Sequence, residues 1–322
     1  MNKISLIVPC YNEAEVLPIL VRAMNEVADG MCAAHELCFE YIFVDDGSAD
    51  DTLGVLKDLR REFSQGEGRD FRYLSFSRNF GKEAAMFAGL EHSTGDFVAI
   101  LDADMQHPPE LLARMYEDIT QGGCDCVATR RVNRLGEPKL RSFFARSFYK
   151  FINSISDTEI VDGACDFRMM TRQMANAVIS LREKNRFSKG LFSWVGFRTR
   201  WIEFENRERA AGETSWSFWQ LLAYSVEGIA AFSTRPLIIA TVIGILLCVA
   251  AMALTVFYAV KTLVYGDPVS GFPTLICTVM FLGGIQLFCI GLIGQYLAKT
   301  YIEVKGRPIY ILRESAGGEE RR

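Results

Sequence analysis

The chain lacks an excess of positive charge. Its 35 Lys and Arg are outnumbered by 39 Asp and Glu, for a formal net charge of -4, which argues against a nucleic-acid partner, since such binders carry a basic face. It also lacks any patterned cysteines. Nine are scattered along the chain, and the only close pair, Cys124 and Cys126, has neither zinc-site nor thioredoxin-type spacing. Free thiols in a reducing compartment are the simplest reading. The opening stretch, MNKISLIVPC, is too short of apolar residues for a signal peptide, so the first part of the chain is expected in the cytosol. Finally, charge is missing altogether from Leu237 to Val260.

What is present falls into two regimes. Through residue 131, short β-rich runs alternate with segments of helical period. The runs are Ile4–Val8, Tyr41–Val44, Tyr73–Phe76, Phe97–Leu101 and Cys126–Thr129. Between the first two, Asn12 is placed to cap a helix, with Glu15 at capping-box spacing, and Val16, Leu20, Met24 and Val27 recur on one face. Leu53, Leu56 and Leu59 form the apolar side of the next helix. Asn79 or Gly81 opens a third, and Pro108 and Pro109 suit the first turn of a fourth. This alternation predicts an α/β fold with a mostly parallel sheet covered on both faces. Such sheets bind ligands beyond the carboxyl ends of their strands, which is where Asp45, Asp46, Asp102 and Asp104 fall.

The second regime points to a membrane. Leu237–Val260 and a stretch from about Phe272 to Ala298 each have the ~20 apolar residues that cross a bilayer. The lead-in at 212–236 is amphipathic and tryptophan-rich, and a segment at about 138–156 sets phenylalanines among Lys139, Arg141, Arg146 and Lys150. Both compositions suit the interface. Arg235 precedes the first span and Lys299, Lys305, Arg307 and Arg313 follow the second, so the positive-inside rule puts both outer ends in the cytosol. The expected organisation is a cytosolic domain over 1–211, the interfacial helix at 212–236, two transmembrane helices within 237–300 and a cytosolic tail at 301–322. Gly283, Gly284, Gly291 and Gly294 permit close helix contacts, within the hairpin or between subunits of a homo-oligomer.

The chemistry centres on Asp102 and Asp104 in VAILDADMQHPPE. Two carboxylates this close repel each other and resist leaving water. A hard divalent cation such as Mg²⁺ binds carboxylate and phosphate oxygens and removes that repulsion, so Asp-x-Asp at a strand end suits a metal–diphosphate bridge. A solvated turn is the plain alternative for the tripeptide by itself.

Its company is informative. VPCYNE, VDDGSADDT, SRNFGKEAA and DADMQHPPE, with DFRMMTR, NRFSKGLFSWVGF and RERAAGETSWSFW, closely resemble family 2 glycosyltransferases of the GT-A fold. The tail FSTRPL…FLGGIQLFCIGLIGQYLAKTYIEVKGRPIYI is similar to the anchor of bacterial polyprenyl-phosphate sugar transferases of the bactoprenol glucosyltransferase, or GtrB, type. The resemblance covers nearly the whole chain. It implies a GT-A catalytic domain with a C-terminal two-helix hairpin, multi-pass in the bacterial inner membrane with its catalytic domain cytosolic. It implies inverting transfer of a hexose, glucose first, from a UDP-sugar to undecaprenyl phosphate, for cell-surface glycan modification. N-acetylhexosamine, mannose or aminoarabinose are the other sugars to weigh.

At matching positions the resemblance assigns Pro9, Tyr11 and Glu13 to a uridine pocket, with Asp45 or Asp46 accepting from the uracil imide. Asp102 and Asp104 would hold Mg²⁺ or Mn²⁺ on the diphosphate, with Gln106 assisting. The structural readings beside these are a strand end at Pro9, a core Tyr11 and a turn at Asp46–Gly47–Ser48. His107 reads as a packed loop residue, since hard cations prefer oxygen; His35 and His92 have no assignment. Asp166 in ACDFR is the matching candidate base, or else it orients Arg168, the sugar or an acceptor arginine. For the acceptor phosphate the candidates are Arg130, Arg131, Arg141, Arg207 and Arg209, because guanidinium groups fit phosphate bidentately. Attraction to anionic lipid, at about 1 kcal/mol per charge, is the competing use. Related transferases often carry a lysine after the Gly-Glu-Thr/Ser segment where this chain has Ser215. Two rivals remain. A polysaccharide synthase usually shows Gln-x-x-Arg-Trp and more spans, neither seen here; a non-catalytic membrane scaffold or transporter would use the acidic site only to bind.

Overall fold

The structure is a computed structural model that describes residues 1–63, 69–131, 161, 163–204, scattered positions between 237 and 264, and 271–317. Five strands form where the apolar runs predict them: β1 (Asn2–Cys10), β2 (Leu37–Asp45), β3 (Arg69–Phe76), β4 (Phe97–Ile100) and β5 (Cys126–Arg131). Between them lie α1 (Leu17–Ala34), α2 (Thr52–Phe63), α3 (Lys82–His92) and α4 (Leu111–Thr120). There follow β6 (Ala164–Thr171), α5 (Arg172–Ser180), α6 (Ser188–Trp194), β7 (Thr199–Phe204), a long helix α7 (Phe272–Val304) and β8 (Leu312–Ala316). The eight strands form one sheet in the order β7-β5-β6-β4-β1-β2-β3-β8. Pairings β1–β2, β1–β4, β2–β3 and β5–β7 are parallel; β4–β6, β5–β6 and β3–β8 are antiparallel.

Strand order reverses at β1, which has β2 on one side and β4 on the other. The loops leaving β1 and β4 therefore splay apart and open a crevice at the carboxyl edge. The face beside α1, α2 and α4 buries Leu20, Met24, Phe39, Tyr41, Phe43, Leu56 and Met115. The α3 and α5 side buries Ile7, Met86, Val98, Met170 and Met174. Val16, Leu20 and Met24 are buried as the helical period requires, and Val27 packs against the cluster partly exposed.

Two expected helix starts shift. Asn12 does not cap α1, which begins at Leu17 with Pro18 in its first turn. Asn12 instead sits at φ 57° and its Oδ1 accepts from the Ala49 amide at 2.8 Å, so it braces the neighbouring turn. Pro108 and Pro109 immediately precede α4, their carbonyls accepting from Leu111 and Leu112. The third helix opens at Gly81, at φ 98°.

Near the opposite end of the strands, Glu40 is fully buried. It accepts from Ser5 Oγ at 2.5 Å and the Thr94 amide at 2.9 Å, and pairs with Arg72 at 3.0 Å and Lys3 at 3.4 Å. Burial opposes its ionisation, but the Ser5 and Thr94 bonds, with Arg72 and Lys3, outweigh it and lower its pKa. A carboxylate with a lowered folded pKa stabilises above its unfolded pKa and loses that contribution as pH falls through the folded one. Glu40→Ala is expected to cost about 3 kcal/mol in chemical denaturation, because a buried ion-pair network loses its central carboxylate; Arg72 keeps only Asp70, and Lys3 only Thr94 Oγ1.

The chain divides into two compact units, one containing the sheet together with Pro308–Arg322, the other containing Tyr224–Arg307. In the second unit, Phe281–Val304 is long and apolar enough to cross a membrane. Its large side chains, Leu287, Phe288 and Leu297 among them, are exposed, which in water forgoes about 1.5–3 kcal/mol each. The described positions between 237 and 264 are all helical. The expected interfacial segments at 138–156 and 212–236 lie outside the described residues, as do Arg141, Arg207, Arg209 and Ser215. Residues 301–322, read from sequence as a tail, supply the edge strand β8.

Candidate active site

The crevice at the β1/β4 edge is a cleft of about 290 Å³ lined by Pro9, Tyr11, Glu13, Asp46, Lys82, Asp102 and Asp104, among others. Four chain segments build it: the loop after β1, Asp46 just past β2, the residues around the start of α3, and the loop after β4. The loop after β1 is held by Asn12 N donating to Ser48 Oγ (2.9 Å) and Glu13 N to Thr52 Oγ1 (2.9 Å). Tyr11 is not a core residue; it is 48% exposed. The loop after β4 turns at Met105, φ 57°, and the Gln106 amide donates to Asp104 Oδ1 at 3.1 Å.

Asp45 and Asp46 divide their work. Asp45 accepts from Ser48 N (2.9 Å) and Ser75 Oγ (2.7 Å) and faces a separate cavity of about 510 Å³ with Gly47, Ser48, Lys57, Ser77 and Arg313. Asp46 lines the cleft and accepts from the Phe80 and Gly81 amides at 2.6 and 2.9 Å. Burial raises the Asp46 pKa against those two amide bonds. Gly47 (φ 66°) has no room for a Cβ, which would lie 2.4 Å from the Arg78 carbonyl carbon.

Lys82 is the residue that sequence reasoning missed. Its ammonium donates to Asp102 Oδ1 at 2.7 Å and Asp166 Oδ2 at 2.6 Å. The topology brings these groups together. In the β4–β6 register Ile100 faces Arg168, so two residues further on Asp166 comes opposite Asp102. Lys82 opens α3 on the same edge. Burial works against the Lys82 charge, but Asp102 and Asp166 overcome it and raise its pKa. Burial likewise opposes the Asp166 charge, and Lys82, then Lys189, win and hold its carboxyl well below the usual range. The available signal was a lysine directly after the helix-opening glycine in SRNFGKEAA.

The remaining candidates sit as follows. Arg168 is buried, donates to the Cys165 and Asp166 carbonyls (2.9 and 3.3 Å) and lies 3.9 Å over the Phe192 ring. His107 is buried against Phe167 and Phe204, with Nδ1 3.9 Å from Asp102 Oδ2. Arg130, on β5, pairs with Glu203 of β7; Arg131 ends the same strand. Among the described residues no group of three or more His, Cys, Asp or Glu is arranged to hold a metal unaided. The described cysteines are free thiols.

The family model described as "Glycosyl transferase family 2" matches residues 5–179, which carry all the cleft segments above. The chain belongs to that family. It is a glycosyltransferase, and family 2 membership agrees with the sheet order and the acidic edge. Its relatives include the "Bactoprenol glucosyl transferase" of Shigella phage SfII, 39% identical over 98% of this chain and 99% of that protein. Another is the "Prophage bactoprenol glucosyl transferase homolog" of Escherichia coli (strain K12), 39% identical over 97% of this chain and 98% of that one. Among solved structures, glucosyl-3-phosphoglycerate synthase from Mycobacterium tuberculosis is similar with a TM-score of 0.48 at 18% identity, over 71% of this chain and 76% of that one.

Proposed function

We propose that this family 2 glycosyltransferase transfers glucose from UDP-glucose to a polyprenyl phosphate at the cytosolic membrane face, inverting the anomeric configuration. The observation that carries this reading is the 39% identity, over nearly the whole chain, to relatives named as bactoprenol glucosyl transferases. Radiolabelled UDP-sugars offered with undecaprenyl phosphate test it. Chloroform-soluble label from UDP-glucose is expected; label only from another sugar would reassign the donor, water-soluble polymer would indicate a synthase, and no transfer would indicate a scaffold.

In this reading Tyr11, Glu13 and Pro9 take the nucleoside, and Asp46 is the better placed of the two aspartates to meet the uracil, because it lines the same cleft. The donor set around Asp102 and Asp104 is carboxylate oxygen, which fits a hard cation. Two carboxylates with substrate phosphates and water are a usual Mg²⁺ arrangement. Bound there, Mg²⁺ or Mn²⁺ would neutralise charge on the leaving diphosphate. Lys82 holds Asp102 and Asp166 close despite their repulsion and favours the ionised form of Asp166.

The acceptor needs no base. A phosphate monoester has a second pKa of about 6 and is mostly dianionic at neutral pH, so positioning can suffice. Asp166, held by Lys82 with its pKa lowered, is a weak base. Asp166→Asn is expected to cost less activity than Asp102→Asn and to retain the acid limb near pH 6, since that limb belongs to the acceptor phosphate. Equal, total losses in folded protein would restore Asp166 as a base. Arg130, Arg131, Arg141, Arg207 and Arg209 remain the proposed cations for the acceptor.

The membrane hairpin is part of the proposal. β8 follows α7 and pairs with β3 of the catalytic sheet, which supports a chain that leaves and rejoins one side of the bilayer by an even number of crossings. With α7 as one span, the uncharged stretch Leu237–Val260, helical at its described positions, is the proposed other.

A further inference from the structure

The cleft depends on a loop that makes no use of its own side chains to hold Asp46. Phe80 and Gly81 offer their amides to that carboxylate, and the next residue, Lys82, spans Asp102 and Asp166. What fixes this loop comes largely from the far end of the chain. The Ser77 amide donates to the Ile311 carbonyl at 3.0 Å. Tyr310 stacks on Phe76 with ring centroids 5.1 Å apart and planes 17° from parallel, and Phe76 in turn meets Phe80 edge-on at 5.7 Å. The Tyr310 hydroxyl donates to Glu91 at 2.6 Å and lies 3.2 Å from His92 Nε2, both at the end of α3. Further along, Glu314 pairs with Lys57 at 2.7 Å and accepts from Tyr73 at 3.1 Å.

We propose that residues 309–316 are a positioning element of the donor site, acting through Tyr310 and Ile311 on the loop from Ser77 to Lys82. The segment does not touch the cleft. Its stacking and strand pairing restrict where Phe80 and Gly81 can point their amides, and so where Asp46 and Lys82 stand. Because the same segment is the chain's return from α7, donor binding is strongest when that return is docked on β3. This role rests on family 2 donor chemistry and is indifferent to which acceptor or sugar is used.

The test uses the full chain and reads UDP affinity by calorimetry in the presence of Mn²⁺, with amide hydrogen exchange on the peptide containing Phe80 and Gly81. Tyr310→Ala is expected to weaken UDP binding about tenfold and to speed exchange in that peptide. Tyr310→Phe keeps the ring and is expected to retain most of the affinity. Val178→Ala, in the buried cluster on the α5 side, serves as a comparison that lowers the melting temperature without touching the loop; its UDP affinity and its exchange at Phe80 and Gly81 are expected to stay at the parent values. The proposal is overturned if folded Tyr310→Ala binds UDP like the parent, or if Val178→Ala loses as much affinity. Failure of wild-type protein to bind UDP at all would instead count against the donor assignment.

Discussion

Asp102→Asn is expected to lower kcat by about a thousandfold, the upper range for removing one electrostatic contact to developing charge, while the protein still folds. Asparagine keeps the shape and removes the charge. In the parent, Asp102 stands at the end of β4 with one oxygen 2.7 Å from the Lys82 ammonium and the other 3.9 Å from His107 Nδ1. The substitution leaves the turn through Met105 and the Gln106–Asp104 bond intact, so circular dichroism melting should shift little. Transfer of label to lipid measures the loss, and activity within tenfold of the parent would remove Asp102 from the proposed diphosphate site.

Lys82→Met carries the second largest expected effect, about a hundredfold in kcat/KM. It strips the shared cation from Asp102 and Asp166, whose carboxylates then repel across a partly buried cleft. Lys82→Arg is expected to rescue poorly, because a planar guanidinium cannot reproduce a compact ammonium between two oxygens. The diagnostic is a double-mutant cycle. Residues sharing one ion-pair network are not additive, so Lys82→Met with Asp166→Asn should lose no more than Lys82→Met alone. Strict additivity would mean that Lys82 acts apart from Asp166.

The first five strands of the catalytic sheet were legible because buried strands are continuous apolar runs, whereas β6 and β7 were not read from the sequence. Ile4–Val8 and Phe97–Leu101 need no tertiary information to be read. The acidic edge was legible for the same reason: Asp45, Asp46, Asp102 and Asp104 follow those runs directly. Lys82 was not, since its meaning lies in three segments meeting, the end of β4, the start of β6 and the start of α3. Local sequence shows a lysine in a first helical turn and nothing of its partners. The edge strand β8 was hidden more deeply. LRESA is short, with two of its five residues charged, suited to a sheet edge, and its pairing with β3 spans more than two hundred residues. Asn12 shows the reverse case, a valid capping pattern overridden because its side chain had a better partner in the Ala49 amide.

The most direct measurement is turnover of purified enzyme with UDP-glucose and undecaprenyl phosphate after exhaustive chelation, then after Mn²⁺ or Mg²⁺ is restored. Lipid-linked label should vanish on chelation, return with the cation, and fail to return when alanine replaces both Asp102 and Asp104. Full turnover in the chelated enzyme, or in the folded double variant, would contradict a carboxylate site that grips the donor diphosphate through a divalent ion.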